Sequence, residues 1–325
     1  MKFDVAIDAF IADLRGYGQI NSQATEKSYR EKLAMHAADC GGRPVEKTGK
    51  TDVKRTLRRW QHPNSKNQAH SVLNSFYRWT VEEDIRTTNP AQAVRRARKS
   101  QPQINRLTRE ETSQLLDWAA SSDARHTERW LIYLGICAGL RCKELAETRV
   151  EDVMRPGWVH VARTAGKGAK ERWVPVIRDL QPIIDEIKLI GPEHGTLLRP
   201  RERATLPSVG EYVEVDRPMA RNSIYRLVKA AGRKAGIYQP VTPHTLRHAF
   251  GDHIAKYAGL RVAQALLGHE SVETTAGTYV DRVSMDEMSV AVSGFSFFSR
   301  RDSENEPGVS LPQTAFTARG DDDVR

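Results

Sequence analysis

The most informative stretch of this chain is His244-Thr-Leu-Arg247, which is followed by Leu267-Gly268-His269 and then by Tyr279 in Thr-Tyr-Val-Asp. An arginine guanidinium presents a planar set of donors that fits two phosphate oxygens. A histidine donates to a further oxygen or moves a proton near neutral pH, and a tyrosine hydroxyl can act as a covalent nucleophile. None of these residues is diagnostic alone, but together they indicate a site that holds and attacks a phosphodiester.

The size and composition of the chain are those of a soluble globular protein. Its 325 residues are enough for two domains, each with its own core. No apolar run comes near the roughly 18–20 residues that cross a bilayer, and the acidic N-terminus shows no export signal. Cys40, Cys137 and Cys142 do not have the spacing of a zinc or redox motif. We therefore expect a cytoplasmic protein without a membrane partner.

Positive charge is concentrated in the first third of the chain. The formal net charge is +9, and residues 1–103 hold 19 Lys and Arg against 11 Asp and Glu. The remainder holds 31 against 30. A polyanionic partner would explain this excess, because basic side chains that neutralise phosphates release the counterions of a nucleic acid. General solubility explains it equally well, so charge supports a nucleic-acid partner without establishing one.

Residues 1–98 are predicted to form a helical domain of four helices separated by short turns. Apolar side chains recur at helical spacing in the first helix. Thr25 is the expected N-cap of the second helix, and Cys-Gly-Gly at 40–42 is its expected end. The predicted helices are Phe3–Leu14, Thr25–Ala38, Thr51–Trp60 and Ser65–Ile85.

Two basic stretches are candidates for contact with nucleic acid. One is the third predicted helix, and the other is the polar sequence 91–106, in which we place an interdomain linker at 99–106. A linker that is merely solvated is an equally simple interpretation of the second stretch. The candidate DNA-binding residues here are Lys54, Arg55, Arg58, Arg59, Arg95, Arg96, Arg98 and Lys99.

A second domain is predicted over 107–299. Thr108-Arg-Glu-Glu111 resembles a capping box and opens a helix. Two alternating stretches, 158–162 and 172–177, indicate a β-hairpin with a basic tip. Further helices are predicted at 130–138, directly after Gly139-Leu-Arg141, at about 179–190 and 222–235, from 244 onward, and within 284–298.

The remaining segments of the second half show no strong periodicity. Residues 191–220 are rich in Pro, Gly and charge, which predicts a loop with little regular structure. Residues 300–325 are polar and are expected to be disordered. The predicted fold class is therefore mainly α with a small β-hairpin.

Four sequence blocks followed by one tyrosine carry a resemblance to a known family. They are Ala138-Gly-Leu-Arg141-Cys-Lys-Glu144-Leu, Gly166-Lys167-Gly-Ala-Lys-Glu-Arg-Trp-Val-Pro175, His244-Thr-Leu-Arg247-His and Leu266-Leu-Gly-His269, and the tyrosine is Tyr279. With these blocks the chain resembles the tyrosine recombinases, also called the phage integrase family, over about residues 1–290. Phe76-Tyr-Arg-Trp-Thr-Val-Glu-Glu-Asp and Asn89-Pro-Ala also look like the core-binding domain of that family.

The resemblance implies an architecture and a set of partners. An α-helical core-binding domain and a mixed α+β catalytic domain would form a C-shaped clamp around DNA, in a compact form without an arm-binding domain. Such enzymes act as homotetramers on two double-stranded sites and exchange strands through a Holliday junction. Host or phage accessory factors would be possible partners. The helix within 284–298 would dock on a neighbouring subunit, or it would pack on its own domain.

The resemblance also implies roles for particular residues in a metal-free transfer that needs no cofactor. Tyr279 would attack the phosphate, and Arg141 and Arg247 would stabilise the charge of the transition state. Glu144, three positions after Arg141, would fix the guanidinium of that arginine. The other implied roles are a general acid at Lys167, a DNA contact at Lys170, proton acceptance or a phosphate contact at His244, and a phosphate contact at His269.

Several alternatives remain at this stage. Lys170 competes with Lys167 as the general acid, and Tyr279 follows His269 by ten positions where the family commonly has nine. The leading function is a site-specific recombinase that integrates or excises a phage or other mobile element. The alternatives are an Xer-like dimer-resolution recombinase and a non-catalytic DNA-binding regulator. A metal-dependent nuclease would need a carboxylate cluster, and we expect no metal site because no such signature is present.

Overall fold

Five ranges of the chain are described by the computed structural model, namely 1–98, 105–162, 171–203, 212–268 and 283–298. The buried apolar side chains fall into two clusters. One cluster is built from residues between Phe3 and Val94, and the other from residues between Leu107 and Phe297. The mainly helical fold with a small β-hairpin, which the sequence predicted, is confirmed.

The first cluster is enclosed by the four predicted helices. They are α1 (Phe3–Gly16), α2 (Gln23–Asp39), α3 (Lys50–Leu57) and α4 (Pro63–Glu82), with a 3-10 turn at Val45–Lys47. The predicted N-cap at Thr25 is wrong. Ser22 caps α2 instead, because its backbone is extended and its hydroxyl accepts from the Thr25 N–H at 3.1 Å. Thr25 itself already lies in the first turn of the helix.

A buried histidine links three helices and a loop within this cluster. The Nδ1 atom of His36 lies 2.7 Å from the Thr56 hydroxyl, and its Nε2 atom lies 2.6 Å from the Tyr77 hydroxyl. The Tyr77 hydroxyl is in turn 2.7 Å from Thr48 Oγ1. Burial lowers the pKa of His36 to about 4, although Asp52 and Asp39 act in the opposite direction. The imidazole is therefore neutral in the folded protein at neutral pH.

The neutral state of His36 makes stability depend on pH. The folded protein binds the proton with a pKa of about 4, whereas the unfolded chain binds it near 6.5. The stabilisation is thus complete above pH 6.5 and is lost as the pH falls toward 4, by up to roughly 3 kcal/mol. Urea unfolding between pH 7.5 and 4.5 should show this loss. His36→Gln cannot take up the proton, so its unfolding free energy should fall less over the same range.

The second cluster begins with three helices and a hairpin. They are α5 (Arg109–Ala120), α6 (His126–Cys137), α7 (Cys142–Glu147), a 3-10 turn at Val150–Val153, and the strands β1 (Trp158–Val161) and β2 (Arg172–Pro175). The strands are antiparallel, and Val161 pairs with Arg172 next to the tip. The capping box at Thr108 and Glu111 is present, with both side chains hydrogen-bonded to backbone N–H groups.

The rest of the second cluster is helical with one further hairpin. Its elements are α8 (Gln181–Ile190), β3 (Arg201–Arg203), β4 (Tyr212–Glu214), α9 (Arg221–Lys234), α10 (Pro243–Ala258), α11 (Leu260–Leu267) and α12 (Met285–Val292). The prediction of little regular structure over 191–220 missed the antiparallel β3–β4 pair. The strand side chains whose burial is described are all exposed, so no alternation of burial marked the strands.

The segment that contains α12 packs on the core of its own chain. Met288 and Val292 of this helix are buried, and so is Phe297 beyond it. The Ser296 hydroxyl donates to the Asp179 carboxylate at 2.7 Å, and the Phe297 N–H donates to the same carboxylate. Of the two arrangements expected for residues 284–298, this one is packing on the protein's own domain.

Candidate active site

Arg141 stands at the turn between α6 and α7. The chain leaves α6 through Gly139, whose φ of +62° lies in the left-handed region. A Cβ atom there would lie 2.4 Å from Phe250 Cδ1, so both the backbone and the packing require glycine. The Arg141 N–H donates to Glu144 Oε2 at 2.7 Å, and its Nη1 donates to Glu144 Oε1 at 2.8 Å. The Arg141 side chain remains 38% exposed and is therefore accessible to a substrate.

Arg247 lies one turn along α10 from His244, and its side chain is only 4% exposed. Its Nη1 donates to the Gly139 carbonyl at 2.7 Å, and its Nη2 donates to the Leu267 carbonyl. Nη1 also lies 3.7 Å from Glu144 Oε2. Burial, followed by the charges of Arg141 and Arg172, lowers the pKa of Arg247, although Glu144 opposes this shift. The guanidinium remains a cation at neutral pH.

A third arginine, Arg172, completes this group and was not singled out from the sequence. It begins β2, and its Nη1 and Nη2 donate to the two oxygens of Glu144 at 3.0 and 2.9 Å. Its Nε donates to the Leu266 carbonyl at 2.8 Å. We call Glu144, Arg141, Arg172 and Arg247 the Glu144 cluster. The only sequence signal was an arginine at the start of an apolar strand, where burial of a charge requires a partner.

Glu144 is the shared acceptor of the cluster, and its side chain is 4% exposed. Burial alone would raise the pKa of this carboxyl. Hydrogen bonds and charges from Arg172 and Arg141 outweigh burial and lower the pKa to about 2. The carboxylate is therefore ionised at neutral pH. It accepts hydrogen bonds from Arg141 and Arg172, and it lies 3.7 Å from Arg247 Nη1.

His244 lies in the first turn of α10 and is exposed. Thr242 caps this helix through its hydroxyl, which accepts from the Thr245 N–H at 3.2 Å. Partial burial and then the charges of Arg247 and Arg141 lower the pKa of His244. The imidazole is therefore neutral at pH 7, so it can accept a proton. Its ring centroid lies 4.2 Å from that of His248.

Five of the predicted site residues lie outside the described residues, namely Lys99, Lys167, Lys170, His269 and Tyr279. Two of these undescribed segments, 163–170 and the one that begins at His269, are flanked in sequence by described residues that belong to the Glu144 cluster or are in contact with it. Arg172 lies two residues after the 163–170 segment. Gly268, with φ of +63°, directly precedes His269 and follows the two carbonyls held by Arg172 and Arg247.

The predicted DNA-binding residues of the N-terminal region differ in their surroundings. Lys54 and Arg58 are exposed on and beside α3. The Arg59 guanidinium forms two hydrogen bonds with the Asp39 carboxylate, and Arg55 lies 3.6 Å from Asp52. Three further predicted residues, Arg95, Arg96 and Arg98, follow α4 in the chain and are also exposed. Positive charge is thus available on both predicted stretches, although Arg59 is engaged by an acid.

A second basic surface lies along α9, where a cleft of about 660 Å³ is lined by six cationic side chains. No Asp or Glu belongs to the described residues that line it. The cations are Arg125, Arg199, Arg201, Arg226, Lys229 and Arg233. The sequence did not reveal this cleft, because its residues come from separate elements.

The part of the chain that the structure describes contains neither a candidate metal site nor a membrane-spanning helix. In that part of the chain there is no cluster of three or more His, Cys, Asp or Glu side chains that could hold a metal ion. None of its helices is both long enough and apolar enough to span a membrane.

Comparison with known proteins places the chain in a family. Residues 105–284 match the model of the phage integrase family, which is more than half of the chain. The tyrosine recombinase XerD of Staphylococcus haemolyticus is 30% identical over 226 residues, which cover 67% of this chain and 72% of the relative. The tyrosine recombinase XerC of Vibrio atlanticus is 28% identical over 262 residues, which cover 79% and 81%.

Solved structures show the same fold. A lambda integrase dimer bound to a COC′ core site superposes with a TM-score of 0.67 at 22% identity, covering 86% of this chain and 99% of the other. The Tn1549 transposon integrase in complex with circular intermediate DNA has a TM-score of 0.59 at 18% identity, covering 88% and 98%. The protein is an enzyme of the site-specific tyrosine recombinase class. It belongs to the phage integrase family.

The Glu144 cluster leads to a prediction about stability. In Glu144→Gln the carboxylate charge is lost while three arginines stay in place, so the free energy of unfolding should fall by about 3 kcal/mol. The folded pKa of about 2 lies below 4.5, so the stabilisation is present above pH 4.5 and is lost as the pH falls toward 2. Chemical denaturation at pH 7 measures the full effect.

The control for this measurement is Glu147→Gln on the same helix. Glu147 is exposed and lies 3.6 Å from Lys143, so its loss should cost less than about 0.5 kcal/mol. An equal cost for the two variants would show that Glu144 does no more than a surface carboxylate.

Proposed function

We propose that this recombinase cleaves and rejoins double-stranded DNA through a 3′-phosphotyrosyl intermediate, with Tyr279 as the nucleophile. The observation that carries the proposal is the convergence of Arg141 and Arg247 on one buried carboxylate, Glu144, with the neutral His244 close enough for its pKa to be lowered by the charges of both arginines. Two cations and a neutral base in one place suit a reaction in which negative charge develops on a phosphate while a proton leaves a hydroxyl.

The proposed step balances without a metal ion or ATP. The Tyr279 oxygen bonds to phosphorus as the bond from phosphorus to the 5′-oxygen breaks. His244 accepts the tyrosine proton, and Lys167 protonates the leaving 5′-oxygen, with Lys170 as the alternative donor. His269 hydrogen-bonds a non-bridging oxygen. The phosphodiester energy is kept in the new bond, so a 5′-hydroxyl from a partner strand can reverse the step on a new junction.

Arg141 and Arg247 have unequal surroundings in this scheme. Arg141 is 38% exposed, whereas Arg247 is 4% exposed and donates to two carbonyls. We infer that Arg141 presents its guanidinium directly to the phosphate. Arg247 supplies its charge from a fixed, largely dehydrated position, where electrostatic interactions are stronger than in water.

We further propose a two-domain clamp on DNA, with domains at 1–98 and 107–299. Most of the linker predicted at 99–106, and all of the tail predicted at 300–325, lie outside the described residues. The two separate apolar clusters support this division. The phosphate backbone would be contacted by the predicted DNA-binding residues of the N-terminal region, by the basic cleft along α9 and by Lys170. A lambda integrase tetramer has been crystallised on a Holliday junction, and we propose a homotetramer here as well.

The favoured biological role is integration or excision of a phage or other mobile element in a bacterial cytoplasm, with host or phage accessory factors. Dimer resolution remains the second candidate, because the XerC and XerD relatives cover two thirds or more of the chain. A non-catalytic regulator is set aside, since the protein is an enzyme by class. Recombination of matched attachment sites, compared with that of two identical sites, would distinguish the two roles.

The nucleophile is tested by covalent trapping. Purified protein, in EDTA and without ATP, is mixed with a nicked suicide duplex drawn from the DNA that flanks its gene. We expect a protease-sensitive protein–DNA adduct from the wild type and none from Tyr279→Phe, which should bind the duplex with affinity within about twofold. An adduct from Tyr279→Phe would rule out Tyr279 as the nucleophile. Loss of the wild-type adduct in EDTA would contradict the metal-free step.

The DNA interface of α3 is tested by salt dependence. Replacing both Lys54 and Arg58 by glutamine should reduce the slope of log K against log salt by up to about 1.8, or about 0.9 for each lost phosphate contact. Arg30→Gln is the control, because Asp8 and Glu26 already hold that guanidinium. A slope that stays the same in the double variant would remove α3 from the interface.

A further inference from the structure

Arg172 is a buried arginine whose donors are used within the protein. Its side chain is 7% exposed and lies at the start of β2. Two of its nitrogens donate to the two oxygens of Glu144, and the third donates to the Leu266 carbonyl. Since the group is enclosed in this way, it is not a surface contact for DNA. Any effect of Arg172 on the reaction must therefore act through its contacts within the protein.

The two-point contact fixes the plane of the Glu144 carboxylate. A single hydrogen bond would leave the carboxylate free to rotate, whereas paired N–H donors from one planar guanidinium define both oxygen positions. The same two oxygens accept from the backbone and side chain of Arg141, at 2.7 and 2.8 Å. The orientation of the exposed Arg141 guanidinium therefore depends on a carboxylate that Arg172 holds in place.

Arg172 is also aligned with Arg247 through a second connection. These two arginines donate to consecutive carbonyls at the end of α11, those of Leu266 and Leu267. Gly268 follows, and a Cβ atom there would lie 3.2 Å from Arg172 Cδ. The last turn of α11 thus places the two guanidinium groups in a fixed relation, independently of Glu144.

We propose that Arg172 is a positioning residue for the recombination reaction, one that aligns Arg141 and Arg247 on the scissile phosphate through Glu144 and the end of α11. It does not touch the substrate. It contributes by holding the two arginines where the charge of the transition state develops. The inference rests on the proposed function, in which Arg141 and Arg247 carry that role.

The alternative role for Arg172 is to stabilise the fold and nothing more. A substrate whose scissile linkage carries no charge distinguishes a positioning role from a purely structural one. A methylphosphonate linkage replaces one non-bridging oxygen by a methyl group and is neutral. Arginines that stabilise charge on the non-bridging oxygens have less to stabilise in that substrate. A variant with misaligned arginines should therefore lose much of its rate on the phosphodiester and little on the methylphosphonate.

The experiment measures the rate of covalent adduct formation by Arg172→Lys on both nicked duplexes. Lysine keeps the charge but cannot make the paired contact with Glu144 together with the bond to Leu266. The matched control is Arg149→Lys, because Arg149 is exposed and its Nε lies 3.2 Å from the Glu151 carboxylate. Both rates come from one preparation of each variant, so their ratio does not depend on the fraction of folded protein.

We expect Arg172→Lys to lose about 30-fold in rate on the phosphodiester and less than about threefold on the methylphosphonate. DNA affinity should stay within about twofold, since the side chain is buried. Arg149→Lys should match the wild type on both substrates. Arg172→Gln, which also removes the charge, should show at least the same ratio of the two losses.

Two results would overturn the inference. Equal losses on the two substrates would show that Arg172 acts only on folding, and no loss on the phosphodiester would show that the alignment does not depend on it. Failure of the proposed function is recognised separately. In that case the wild type itself forms no adduct on the phosphodiester, and no comparison of variants is reached.

Discussion

The site depends on one buried carboxylate that is shared by three arginines. Charges removed from water cost several kcal/mol each, and they persist only where partners satisfy them. Glu144, Arg172 and Arg247 have side chains that are 4%, 7% and 4% exposed. Their mutual contacts join α7, β2 and α10. These three elements are distant in sequence, and all of them must be correctly placed before each buried charge has its partners. This requirement makes the position of the exposed Arg141 a property of the whole second cluster.

Backbone geometry makes this concentration of charge possible. Arg247 donates to the carbonyl of Gly139, a residue whose φ and close contact with Phe250 admit only glycine. The other carbonyls that the arginines reach are at the end of α11, where helix carbonyls lack partners within the helix. Two arginines thus serve as the cap of that helix and also as members of the Glu144 cluster. In sequence, His269 follows this helix end directly after Gly268, the last described residue of that range.

In the first cluster, the polar groups buried at the centre are uncharged. Its central histidine, His36, is neutral and is satisfied by the hydroxyls of Thr56 and Tyr77. Hydrogen bonds between these uncharged groups fix how the helices pack, and none of the three carries a charge that has to be stabilised. The positive charge of the region instead lies on its surface, at residues such as Lys54 and Arg58. Charge is therefore exposed in the N-terminal region, which is proposed to bind DNA, and largely buried in the Glu144 cluster, which is proposed to act in the reaction.

Much of this arrangement followed from the sequence alone. Helical periodicity gave the four N-terminal helices, alternation gave the β1–β2 hairpin, and local spacing linked Arg141 to Glu144, because each is a signal within a few residues. The tertiary structure alone decided that Arg172 joins that pair. Its partners lie 28 and 94 positions away, and no local pattern records which residues such a distance brings together. The weak β3–β4 pair was missed because exposed strands bury no apolar face, and burial is what makes a strand visible in sequence.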